Sequence, residues 1–403
     1  MEIHQSPFRW AILAGCWLLY FVFGLSVASL APLVSEIQAD LQISSSAMGT
    51  ILGAWQFVYI FLAVPVGFAL QRFGGSLLLV AAGAIVALSG IARANSETYT
   101  ALLLSVALFG MGGPIISAGI PQTVSKWFDE KQRGLAMGVY ITGPAVAGVL
   151  VYSSTQALLM PWFDNDWRSV LLVWAFLAFV ATVIWVVIIV LTRNLDHSGD
   201  PLDQDLATAQ STISVVQLLL RQRNVVLLLM IGAGVLAIDH GMRNWLPEII
   251  RSAGWSATAS GHLSVIPVAL GIVGALSLPR LATKERRPRV LQSLFGLSAA
   301  GCLLISVGHV LPLVLGLTCL GLASGALMTV TLLSLIGQNS VGPQNAGLAG
   351  GMFFSVAEIG GVAGPVLIGL VYDLFGGFQP ALLLLASLSA CLLVMAIFIR
   401  QEH

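Results

Sequence analysis

The sequence predicts an all-α polytopic membrane protein, with twelve transmembrane helices in two pseudo-symmetric six-helix bundles. Three observations lead there. First, 57% of the 403 residues are hydrophobic and only 9% are charged, with a mean hydropathy of +0.93. A soluble domain carries about 25% charged residues. Second, the apolar residues come in runs of roughly 17 to 25, the length that crosses a hydrocarbon layer about 30 Å thick. Third, the two halves echo each other. A shift of about 212 residues lays SSSAMG (44–49) over SATASG (256–261), and one of 213 lays GLAMG (134–138) over GLAGG (347–351). A duplicated six-helix unit is a common way of building a membrane carrier.

Charged and Gly/Pro punctuation sets the helices at 10–30, 47–70, 76–94, 98–125, 134–157, 169–192, 223–246, 257–279, 290–308, 311–335, 345–371 and 379–399. Runs this long exclude strands, and in lipid only helices and closed barrels satisfy the backbone. The first run follows MEIHQSPFR and exceeds the 7–15-residue core of a signal peptide, so it is expected to stay as the first helix. One long polar connection separates six runs from six. It gives an N-terminal bundle over 1–195, a cytoplasmic central loop over 196–222 and a C-terminal bundle over 223–403. In that loop DHSGDPLDQD is acidic and turn-rich, whereas ISVVQLLL suits a short interfacial helix.

Lys and Arg fix the orientation. Fourteen of the 18 fall on one side of the spans, and only Arg93, Arg168, Arg243 and Arg251 fall on the other. By the positive-inside rule both termini are cytoplasmic, in a multi-pass protein of the cell (inner) membrane.

Several function classes drop out. Net charge is zero, so nothing points to nucleic acid. Cys16, Cys302, Cys319 and Cys391 lie inside apolar runs without paired spacing, as small packing residues do. There is no phosphate loop, no His-Glu-x-x-His or Cys-x-x-Cys, and no Gly-x-Ser-x-Gly. No metal, no cofactor and no enzymatic activity are expected.

Ionisable residues inside the spans are the candidates for function, because a charge at mid-bilayer costs about 2.5–3.5 kcal/mol on insertion scales. Glu358 is the deepest, about thirteen residues into the eleventh helix, and no basic residue lies within a turn of it. That makes it a candidate proton carrier. AIDHGMRNWLP (237–247) places Asp239, His240 and Arg243 in the outer third of the seventh helix. Asp239 and Arg243 are i and i+4, so they can pair on one face. Gly241 and Pro247 are expected to weaken the helix there, and His262 enters the eighth helix from the same side. Tyr20, Gln56, Tyr59 and Tyr140, with Ser324 and Thr329, are neutral polar residues deep in their spans.

Four stretches carry a resemblance to the major facilitator superfamily, over essentially the full length. GFALQRFGG keeps Gly67, Arg72 and Gly74 of the family's loop between helices 2 and 3, with Gln71 in place of the usual aspartate. KWFDEKQRGLAMG looks like its Trp-Phe…Arg-Gly-x-Ala-x-Gly pattern between helices 4 and 5. There Asp129 and Glu130 can meet Lys126 or Arg133 as a cytoplasmic gate together with Arg72. Gly134 and Gly138 form a small-xxx-small face for close helix approach. TGPAVAG in helix 5, echoed by AGPVLIG in helix 11, resembles the Gly-Pro motif of proton-coupled drug exporters. GMRNWLPEIIRSAGWSATASG resembles the helix 7–8 junction of the cyanate and nitroimidazole permease branch, near porters of nitrate and small carboxylates.

The resemblance implies a secondary active transporter with a site between the bundles and alternating access. Helices 1, 4, 7 and 10 would line the path, with 2, 5, 8 and 11 flanking it, which brings Tyr20, Asp239, Arg243 and Glu358 forward as substrate or proton residues. The implied partners are a small-molecule substrate, preferably a small organic or inorganic anion, a coupling proton and the lipid bilayer, with one chain acting as a monomer. A proton-coupled exporter of neutral or cationic amphiphiles is the rival, and a non-transporting receptor on the same fold a second one.

Overall fold

The computed structural model describes residues 6–193 and 209–399. Twelve of its helices are long and apolar enough to cross a membrane, and no strand occurs among the described residues. The spans are α1 (Phe8–Leu41), α2 (Ser45–Phe73), α3 (Gly75–Ala94), α4 (Tyr99–Trp127), α5 (Glu130–Trp162), α6 (Trp167–Thr192), α7 (Arg223–Ser252), α8 (Ala257–Ser277), α9 (Arg287–Ser306), α10 (Val310–Ile336), α11 (Gly342–Phe375) and α12 (Gln379–Ile397). The amphipathic stretch before α7 forms a short helix, Ala209–Leu220. The acidic DHSGDPLDQD segment lies outside the described residues.

The duplication is visible in where helices begin. α2 starts at Ser45 and α8 at Ala257, α3 at Gly75 and α9 at Arg287, α5 at Glu130 and α11 at Gly342, and α6 at Trp167 and α12 at Gln379. Each pair is 212 residues apart, the offset the sequence echo predicts. The packing repeats too. In the first half α1 packs on α5, and α3 on α4 and α6; in the second α7 packs on α11, and α9 on α10 and α12.

Two spans are not single rods. α1 is an α-helix to Ala28, a 3₁₀ turn over Ala31–Leu33 and a second helical piece from Val34 to Leu41. α5 breaks after Tyr140, restarts at Gly143 and carries a π turn over Thr155–Leu159. Pro144 stands in the first turn of the restarted piece, where its missing amide hydrogen has no partner to lose.

The chain divides into two compact units, one of Met1–Ile43 with Ala54–Asp203, the other of Ser44–Gly53 with Gln204–His403. In the first, a Cβ on Gly24 would stand 2.5 Å from Pro144 Cα, and one on Gly143 2.9 Å from the Phe21 nitrogen. α1 and α5 thus touch backbone to backbone at the Gly-Pro pair. In the second unit, Cβ atoms on Gly360 and Gly364 would run into the carbonyl oxygens of Ala233 and Ala237. Such approaches hold helices together in lipid, where the hydrophobic effect does not. Gly134 and Gly138 do not fit their predicted role: no heavy atom lies within 4 Å of a Cβ built on either. The close contact in α5 falls instead at Gly143.

The start of α2 packs within the second unit. There Asp373, at the end of α11, accepts hydrogen bonds from the amides of Ser45 (3.0 Å) and Ser46 (2.7 Å), capping a helix other than its own. Asp166 caps α6 more conventionally, accepting from the Arg168 amide (3.1 Å), the Ser169 amide (3.0 Å) and the Ser169 hydroxyl (2.5 Å). Burial pushes its carboxyl up, but the Ser169 hydroxyl, both amides and the Arg168 charge outweigh that and hold it below its ordinary 3.8. A depressed pKa stabilises above the unfolded value and is lost as pH falls through the folded one. At neutral pH, Asp166→Ala is therefore expected to destabilise by about 1 kcal/mol. In thermal melts the gap between variant and wild type should close as the buffer is taken below that range. A gap that stays constant with pH would contradict the assignment.

Candidate functional site

In the second unit, α7 carries the charged cluster, and its length changes where that cluster lies. The sequence reading ends the helix near 246, whereas it continues unbroken to Ser252 through Gly241 and Pro247. Trp245, Leu246, Ile249 and Ile250 are all buried at helical spacing, so the apolar pattern resumes beyond the charges and carries the helix with it. The Trp245 indole also donates to the Pro365 carbonyl at 3.0 Å, bracing α7 on α11. Asp239 is consequently the seventeenth of thirty residues, just past mid-helix and not in the outer third.

Asp239 and Arg243 pair as their spacing predicts. Arg243 Nε lies 3.0 Å from Oδ1 and 2.9 Å from Oδ2, with the arginine side chain 52% exposed and the aspartate 17%. Glu358 is 8% exposed, and its Oε2 has no hydrogen-bond partner among the described residues. Register explains the arrangement: Gly360 faces Ala233 and Gly364 faces Ala237. Glu358 therefore lies about eight residues, roughly 12 Å of helix rise, before the level of Asp239. His240 is partly buried, and its carbonyl accepts from the Asn244 side-chain Nδ2 at 2.8 Å. His262 stays apart; it is exposed on α8 and makes no hydrogen bond or ion pair with this cluster among the described residues.

The first unit gathers the tyrosines. Tyr20 of α1 and Tyr140 of α5 have ring centroids 5.7 Å apart, and Tyr20 lies 5.9 Å from Phe23. Phe23 stacks on Phe109 of α4 at 4.9 Å, and Trp55 and Tyr59 of α2 close the group. Gln56, beside Trp55, is fully buried. The Tyr59 hydroxyl bonds Ser117 at 2.9 Å, and the Trp17 indole donates to the Thr142 hydroxyl at 2.9 Å. Four of the predicted residues therefore come from three helices of one unit.

Sequence reasoning missed Arg93. Counted as a loop residue because it is the second-last residue of α3, it is 2% exposed. Its Nη1 donates to the Ser26 carbonyl at 2.8 Å and reaches the Ser29 hydroxyl at 3.3 Å, and the guanidinium lies 5.0 Å from the Phe109 centroid. No carboxylate pairs with it among the described residues. The end of the first helical piece of α1, which exposes the Ser26 carbonyl, is what admits it. A lone arginine at a span end carries no sequence sign of that. By contrast Arg168, also assigned to an outer loop, pairs with Asp40 at 2.7 Å.

At the predicted gate, Asp129 caps the start of α5 by accepting from the Gln132 amide at 2.9 Å. Arg133 donates to the carbonyls of Ser125 (3.2 Å) and Phe128 (3.5 Å), binding the end of α4 through backbone groups. Glu130 is exposed, and Arg72 is exposed over the Phe73 ring. The α2–α3 connection is Gly74 alone, with φ +80, which favours glycine.

The model of the Major Facilitator Superfamily matches residues 16–364. The chain belongs to this superfamily. It is a multi-pass membrane transporter and not an enzyme. The hexuronate transporter of Bacillus subtilis (strain 168) is 25% identical over 88% of this chain and 85% of its own. The 4-hydroxybenzoate transporter PcaK of Pseudomonas aeruginosa is 25% identical over 76% of this chain and 73% of its own. Among solved structures, the nucleoside transporter NupG superposes with a TM-score of 0.79 at 14% identity, over 98% of this chain and all of that one, a likeness of fold alone.

Proposed function

We propose that this transporter is a secondary carrier that moves a small organic anion across the cell membrane together with a proton, by alternating access, with both termini cytoplasmic. The observation that carries the reading is the set of charges in the second unit: a half-exposed Arg243 held by Asp239, and a buried Glu358 on α11 about two helical turns from the level of the same aspartate. Arg243 is the charge an arriving carboxylate meets. Glu358 is the proton carrier, since a carboxyl out of water moves through the membrane far more cheaply as the acid than as the anion. When an anion draws Arg243 away from Asp239, the aspartate loses its compensation and the two acids repel; one proton removes that repulsion. Substrate and proton thus favour one another, which is coupling in its thermodynamic sense. Relatives named for hexuronate and 4-hydroxybenzoate support an acid as cargo.

The test uses purified protein in liposomes holding a pH-sensitive dye, with protein-free vesicles subtracted. Small carboxylates, cyanate, nitrate and cationic dyes are added in turn to wild type and to Arg243→Ala. An anion should carry protons inward, and Arg243→Ala should stop it. Proton movement driven only by cationic or neutral amphiphiles, indifferent to Arg243, would establish the exporter reading in its place.

A further inference from the structure

The anion reading leaves open what kind of acid is carried, and the first unit bears on it. Rings from α1, α2, α4 and α5 form a continuous aromatic wall. Tyr20, Phe23 and Tyr59 are partly exposed on it, while Trp55, Tyr140 and Phe109 are buried behind. Gly113 leaves the space in which Tyr59 and Phe23 lie, since a Cβ there would come 3.0 Å from the tyrosine and 3.6 Å from the phenylalanine.

Most of the wall's hydrogen-bonding capacity is already used. Ser117 serves Tyr59 and the Gly113 carbonyl, and Thr142 serves Trp17 and the Val139 carbonyl. The hydroxyls of Tyr20 and Tyr140, by contrast, bond no described residue. Such a surface suits a flat ring with one or two polar substituents. It does not suit a polyhydroxylated chain, each of whose hydroxyls needs a partner once out of water.

The wall also carries charge. Arg93 lies over the ring of Phe109, which also stacks on Phe23, at 5.0 and 4.9 Å from the Phe109 centroid. The arginine is 2% exposed and bonds only neutral groups, and its Nε and Nη2 have no partner among the described residues. A positive charge that neither a carboxylate nor salt water offsets acts over a distance that a surface charge does not. It makes the outer face of Phe23 attractive to an anion and unattractive to a cation.

Resting on the anion reading above, we propose that the aromatic wall of the first unit binds the ring of an aromatic monocarboxylate, with Arg93 supplying the field that selects its charge and the hydroxyls of Tyr20 and Tyr140 engaging its polar substituents. Arg93 acts through Phe109 and does not touch the substrate.

Binding is read without transport, from thermal stabilisation of the detergent-solubilised protein titrated with 4-hydroxybenzoate, 4-hydroxybenzamide or glucuronate. Bound ligand raises the melting midpoint according to its dissociation constant. 4-Hydroxybenzoate should bind at least roughly tenfold more tightly than glucuronate, as expected of a site that lacks partners for the extra hydroxyls. Arg93→Gln should weaken 4-hydroxybenzoate by about tenfold, about 1.4 kcal/mol, and leave the uncharged benzamide unchanged. Phe23→Leu should weaken both aromatic compounds alike. Glucuronate binding as tightly as 4-hydroxybenzoate would overturn the proposal and leave the anion reading standing; failure of every carboxylate to bind would overturn that reading itself. Equal losses for acid and amide in Arg93→Gln would reduce Arg93 to a structural role and overturn its part. Should that variant not fold, Phe23→Leu and Tyr20→Phe decide, since neither removes a charge and only a wall that holds the ring responds to both.

Discussion

Glu358→Gln is expected to abolish proton-driven uptake of an anion while leaving anion exchange across the same membrane close to the wild-type rate. The amide has the shape of the protonated acid but cannot release a proton. The carrier can therefore still reorient with substrate bound, and it loses the link to the gradient. At one pH unit of gradient, worth about 1.4 kcal/mol, accumulation should fall by about tenfold for each proton coupled. Uptake of labelled anion against its gradient, compared with exchange of labelled for unlabelled anion, separates the two. Loss of both activities together would mean that Glu358 serves the fold or the substrate, and unchanged accumulation would remove it from the proton path.

The second large effect is on stability. Gly360→Val puts a branched side chain where the Ala233 carbonyl oxygen already lies. Backbone cannot yield as a flexible side chain does, so α7 and α11, which pack closely along their length, have to part. Overpacking typically costs 1–3 kcal/mol, and here it also moves Glu358 relative to Asp239. Gly350, ten residues earlier in α11, has nothing within 4 Å of its would-be Cβ, so Gly350→Val is the matched control. The melting midpoint after detergent extraction should drop sharply for the first variant and stay near wild type for the second. Equal midpoints would contradict the described contact.

Much of this was legible in the sequence because it depends on quantities that composition and spacing carry. Long apolar runs have a single solution in lipid, and the 212-residue echo reappears in the starts of four helix pairs. The depth of Glu358 and the pairing of Asp239 with Arg243 follow from counting residues along a helix. What stayed hidden depends on neighbours. Polar residues at 239–243 read as the end of a span, although Trp245 to Ile250 continue the buried face. Gly134 and Gly138 have the spacing of a packing motif but no helix against them, whereas Gly143, nine residues beyond Gly134, has one. Arg93 depends on the end of the first helical piece of α1 and on Phe109 of α4, neither of which is adjacent to it in the chain.

The most direct measurement of the central claim is the count of protons that enter with each anion. Internal pH and labelled 4-hydroxybenzoate are recorded together over the first seconds in wild-type proteoliposomes, with protein-free vesicles subtracted to remove passive entry of the neutral acid. Protons and anions entering in a fixed ratio of at least one to one, with both absent in Arg243→Ala, is the result expected of a proton-coupled anion carrier. Protein-dependent entry of the anion with no protons beyond the protein-free baseline would contradict it.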